Sequence, residues 1–177
     1  HLPKNSYVDS LFEIQKNFSF QFRYWKQGTT IPSTTVFILT LQDKKWTAKC
    51  YLPNLNWQTD KKYFREINVD ETKLDQLWEL LVNNNILTLP TESKLKDKMV
   101  KYTIDTTNLS IGQMQNLEMT DGILYNFQLI NSDGTKTFSY SCPQLRLKHF
   151  GNVQEFYNTS VIILLLKKYL GLSNIEC

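Results

Sequence analysis

Histidine and glycine are scarce in this 177-residue chain, at two and six copies, and each scarcity removes a class of chemistry. His1 and His149 are too few for a histidine metal cage, and no CxxC, HExxH or EF-hand spacing occurs, so no metal or cofactor is expected. None of the six glycines recurs at the spacing of a phosphate-binding loop or a nucleophile elbow, which argues against nucleotide hydrolysis and the common hydrolase layout. Charge of one sign is lacking too. Twenty basic residues stand against 17 acidic ones, spread along the chain, and a net charge of +3 gives no footprint for nucleic acid. The longest apolar run, Val161 to Leu166, has six residues, far short of the roughly 20 that span a bilayer. Cysteine is limited to Cys50, Cys142 and Cys177, an odd count that leaves at least one thiol unpaired within the chain and the redox compartment open.

What is present is a packed, sheet-rich composition. Apolar residues make up 41% and aromatics 13%, and the length suits one domain over 1–177 that buries a core without relying on disulfides or metal. The first 17 residues carry little periodicity and read as a loosely ordered N-terminal segment. Phe18, Phe20, Phe22 and Tyr24 then alternate with Ser19, Gln21 and Arg23 as a half-buried strand. After the breakers Gly28 and Pro32, residues 34–42 are apolar on both faces and predict a central strand covered on both sides. Trp46, Ala48, Cys50 and Leu52 mark a third strand ended by Pro53, and about 62–69 a fourth.

Two helices follow from the 3.6-residue period. Asp70 supplies an N-cap to a helix over about 70–84, where Leu74, Leu77, Trp78 and Leu81 share one face. A second runs over about 152–170 and closes at Gly171, with Lys167 and Lys168 complementing its dipole. Because 161–166 is apolar around most of the circumference, this helix is expected to be sandwiched, or else to expose a docking face. Between them, Lys94, Lys96, Lys98 and Lys101 suggest a mobile loop, with a short strand near 102–105. Residues 122–142 read as a hairpin. Ile123, Tyr125, Phe127 and Leu129 share one face and pair across Asn131-Ser132-Asp133-Gly134 with Phe138, Tyr140 and Cys142, opposite the polar Thr137, Ser139 and Ser141. Residues 143–151 read as a loop. The order of elements predicts an α+β domain with a mainly antiparallel sheet of about six strands and two principal helices.

Few residues point to chemistry. Cys142 and His149 could form a thiol and base if the loop folded back, yet Cys142 shares the inward phase of Phe138 and Tyr140 and reads first as a core thiol or half of a disulfide. Ser93 and Lys96 satisfy a bare SxxK pattern without its partner motifs, which favours a solvated loop. Glu118 and Asp121 are close enough for an acid and base pair but sit in a polar stretch where ordinary carboxylates are the rule. Basic and aromatic residues interleave at 23–26 and 61–65, a pattern that strand amphipathicity explains more readily than base or sugar stacking. Three glycosylation sequons begin at Asn17, Asn108 and Asn158. Trp25 and Trp57 fall at a strand end and in a loop, where an exposed indole marks contact with a partner.

The succession LDQLWELLVNNNILTLP (Leu74 to Pro90), DGILYNFQLINSDGTKTFSYSCP (Asp121 to Pro143) and a terminal helix resembles uncharacterised small exported proteins of bacterial cell envelopes, periplasmic or lipoprotein-type. The resemblance implies an extracytoplasmic location and no catalytic residue set. A first residue other than Met fits either a trimmed chain or a mature one from which an export signal or lipoprotein leader has gone. The expectation is therefore a non-catalytic extracytoplasmic module that binds another protein, as an inhibitor or immunity-type partner, with Trp25 and Trp57 as contacts and Lys94, Lys96 and Lys98 as a rim. The alternatives are a sugar- or lipid-binding protein and an enzyme with an unfamiliar site near Cys142 and His149.

Overall fold

Alternating apolar side chains draw six segments into one antiparallel sheet. The computed structural model describes residues 18–28, 35–53, 64–108, 110–114 and 122–171. Strands β1 (Phe20–Gly28), β2 (Thr35–Gln42), β3 (Lys45–Pro53), β4 (Phe64–Ile67), β7 (Ile123–Asn131) and β8 (Gly134–Ser141) lie in the order β4-β3-β2-β1-β7-β8, while β5 (Lys101–Asp105) and β6 (Ser110–Met114) form a separate two-stranded ribbon. The helices are α1 (Leu74–Asn83), α2 (Pro143–His149) and α3 (Gln154–Leu170), with 3-10 turns at Glu71–Lys73 and Glu92–Lys98. This is the α+β fold that the sequence predicts.

The register places every second residue on one face. Phe22, Tyr24, Phe37, Leu39, Trp46, Tyr125, Phe127, Phe138 and Tyr140 meet Leu74, Leu77 and Leu81 of α1 and Phe156, Ile162, Ile163 and Leu166 of α3 in a single core. Burial of each large side chain contributes about 1.5–3 kcal/mol relative to exposure, and stacking of Phe127 on Phe138, centroids 5.2 Å apart, aligns the β7–β8 pair. Cys50 belongs to this core as a free buried thiol, its pKa pushed up to about 12 by burial. On the opposite face a smaller apolar group of Val36, Ile38 and Tyr51 packs with Trp25. Beside it, Arg23 donates to Gln21 and Gln128, and Gln21 donates to Thr40, linking three neighbouring strands. The central strand β2 is covered on both faces, as its sequence requires.

Local chemistry sets the boundaries. Asp70 accepts the Thr72 N–H, and the left-handed Gly171, at φ 61°, ends α3. Asn131 Oδ1 accepts the N–H groups of Asp133 and Gly134, tightening the two-residue turn between β7 and β8. Two expectations need correction. Residues 143–149 form a short helix rather than a loop, because Pro143 occupies its first turn, where a missing N–H costs nothing. The lysine-bearing segment is a 3-10 turn with Leu95 and Met99 buried, because these two apolar side chains anchor it to the core between the charges. The N-terminal segment 1–17 lies outside the described residues. No described helix is long and apolar enough to cross a membrane.

Candidate interaction site at the outer edge of β8

Residues 86–99 form a strap that returns from α1 along the outermost strand of the sheet. Ile86, Leu89, Leu95 and Met99 are buried, while Leu87 between them is exposed. Polar contacts from three elements hold the strap. Lys136 Nζ donates to Leu87 O at 2.7 Å, Tyr140 Oη donates to Pro90 O at 2.7 Å, and the Ser141 N–H donates to Glu92 Oε2 at 2.6 Å. Arg146 of α2 brings its Nε to 2.7 Å from Glu92 Oε1, a charge contact whose N–H is not aimed for a hydrogen bond. Lys98 pairs with Glu155 on the first turn of α3.

The strap closes only part of the edge. In an antiparallel ladder, alternate residues exchange both backbone bonds with the neighbour and the residues between them point away. Cys142 donates its N–H inward to Ile123 O, whereas the Ser141 N–H goes outward to Glu92. By that alternation Lys136, Phe138 and Tyr140 bond to β7, and Thr135, Thr137 and Ser139 present their N–H and C=O groups outward. Among the described residues nothing bonds to those outward groups. Thr135 and Thr137 are exposed and Ser139 half-buried. A groove of about 330 Å³ adjoins this open stretch, lined by the apolar Phe20, Leu87 and Leu129 and the polar Asn131, Asp133 and Lys136.

Charge is distributed unevenly here. Burial first, and then the neighbouring Lys94, hold Lys136 below the ordinary lysine range, which puts these two cations beside one another. Lys94 and Lys96 are exposed. Burial pushes the Glu92 carboxyl above its usual range, against the pull of the Ser141 N–H and of Arg146. Burial also raises Glu155, but the hydrogen bond from Lys98, a bond to its own backbone N–H and the Lys98 charge outweigh that and leave its pKa lowered. The arrangement offers backbone hydrogen bonds, an apolar recess and a basic rim, which suit recognition of another chain.

The structure brings together some of the residues singled out in the sequence. Lys94, Lys96 and Lys98 do share one segment, although Lys98 is engaged by Glu155. Trp25 lies within β1 on the opposite face, half-buried against Val36, Ile38 and Tyr51, and Trp57 lies outside the described residues. Cys142 is disulfide-bonded and buried, so its sulfur is no free thiol for His149 to activate. Of the sequons, Asn158-Thr159-Ser160 is buried within α3 and inaccessible to a glycan. Glu118 and Asp121 lie outside the described residues. Among the described residues no group of three or more His, Cys, Asp or Glu side chains is placed to hold a metal. The sequence reading missed Glu92, Arg146 and the open stretch of β8. The alternation of Thr135, Thr137 and Ser139 signals a wet face but does not say which strand lies at the rim of a sheet. Comparison with protein-family models, with curated proteins and with solved structures finds no match.

Proposed function

We propose that this chain is a non-catalytic, extracytoplasmic protein-binding module of inhibitor or immunity type, exported to the cell envelope, and that its partner docks along the outer edge of β8. One observation carries the reading: the strap, which bears the exposed Lys94 and Lys96, caps Ser141, while among the described residues nothing bonds to the outward backbone groups of Thr135, Thr137 and Ser139. A binding role gives that open edge a use that a purely structural strand lacks. The disulfide at Cys142 supports an oxidising compartment. A sugar or lipid on the sheet would have to displace packed side chains, since Phe22, Phe37 and Phe127 on one face and Val36, Ile38 and Asn126 on the other are buried.

The test is capture from the envelope fraction of the native source, followed by hydrogen exchange of the captured complex. The expected result is one stoichiometric protein that protects β8 and is lost when Lys94 and Lys96 are both changed to Glu. A partner that ignores this substitution and instead protects Tyr157 and Leu164, the exposed apolar residues of α3, would overturn the assignment of the surface.

A further inference from the structure

The geometry points to the kind of partner: an extended segment carrying acidic side chains, which adds as a further strand to β8 at Thr135–Ser139 and places one apolar side chain in the Phe20–Leu87–Leu129 recess. This rests on the binding role proposed above and specifies its chemistry.

Three observations converge. The outward N–H and C=O groups of Thr135, Thr137 and Ser139 alternate along the strand as donor and acceptor pairs, the pattern an added antiparallel or parallel strand satisfies. The site has fixed ends. Glu92 already occupies the Ser141 N–H, and the turn at Ser132-Asp133 closes the other side, so the partner strand spans about five residues. Within that span the groove beside Gly134 and Thr135 accepts the side chains of the added strand that face the same way as Lys136 and Phe138.

Charge selects the sequence of the occupant. Among the described residues Lys98 is matched by Glu155 and Arg146 by Glu92, which leaves Lys94, Lys96 and Lys136 against the exposed Asp97 and Asp133. Lys94 lies near enough to Lys136 to act on its charge, and carboxylates on the incoming strand complement these cations. A second copy of this chain is disfavoured by the same argument, because two-fold pairing of β8 repeats the same lysines on both sides of the joint.

Two synthetic peptides test this, one alternating valine with glutamate and one alternating valine with lysine, titrated into the full chain and followed by amide resonances and hydrogen exchange. The acidic peptide is expected to protect Thr135, Thr137 and Ser139, with affinity falling at least about tenfold in the Lys94→Glu, Lys96→Glu double variant and with rising salt. Thr137→Pro, which deletes the central outward donor, should abolish binding; the lysine variant serves as the independent check because a proline can perturb the strand itself. Equal binding of both peptides, protection confined to other elements, or a concentration-dependent dimer with a protected β8 would each overturn the proposal. If neither peptide binds but the captured native partner still protects β8, strand addition by an acidic segment fails while the binding role stands. If no partner protects β8 either, both fail.

Discussion

At its C-terminal end β8 is held from every side. Tyr140 is tied to Pro90, the Ser141 N–H to Glu92, and Glu92 to Arg146, with Phe138 and Tyr140 buried beneath. Toward the hairpin turn the same strand keeps its bonds to β7 and ties to the strap through the Lys136 side chain and Leu87 O, but among the described residues nothing bonds to the outward backbone groups of Thr135, Thr137 and Ser139, and Thr135 and Thr137 are exposed. The difference shows how an edge strand can be half blunted. A side-chain carboxylate stops pairing at one end, and cations beside the other end discourage self-association without removing the template for a partner.

The strongest way to break this comparison is to remove what both halves share. Phe138→Ala leaves a hole against Phe127 and should cost about 3–5 kcal/mol in chemical denaturation, exposing the whole strand to exchange. Glu92→Ala acts on the closed half alone. It strands the Ser141 N–H and the Arg146 guanidinium, and a loss of about 1–3 kcal/mol is expected, with faster exchange at Ser141 and little change at Thr137. Equal acceleration at both amides would show that the two halves are not held separately.

A subtler probe is pH. Because burial raises the Glu92 pKa, the folded chain keeps that proton more tightly than the unfolded chain does. Its contribution to stability is therefore full below the ordinary glutamate pKa and declines as pH rises through the raised value. Glu92→Gln should remove that slope, so the stability difference between the two proteins should change across this window; a constant difference from acid to neutral pH would contradict the assignment. Glu155 opposes it in the parent, since a lowered pKa gives stability that is lost as pH falls. The smallest effect belongs to the open half. Changing Lys94 and Lys96 to Glu should alter stability by no more than about 0.5 kcal/mol, because both are exposed, while weakening partner binding.

The hairpin was legible because alternation and turn residues agree: the inward set from Ile123 to Leu129 and from Phe138 to Cys142 is the set the register selects. The capped helix after Asp70 and the glycine-terminated α3 were legible for the same reason, local signals pointing one way. Helix α2 was obscured by its seven-residue length, too short for a period to emerge between Pro143 and Gly151. The strap was obscured by its lysines, since only Leu95 and Met99 mark its buried side. Of the candidate site, the lysines were visible but their neighbours were not. The contact of Glu92 with Ser141 and Arg146 joins residues about fifty positions apart, and its existence depends on β8 lying at the rim, which no local pattern encodes.

Amide hydrogen exchange along β8 in the free protein tests the central claim most directly. The half-closed edge requires slow exchange at Lys136, Phe138, Tyr140 and Ser141 and fast exchange at Thr135, Thr137 and Ser139. Protection of Thr137 and Ser139 equal to that of Phe138 would mean that the edge is already paired, and would contradict the account.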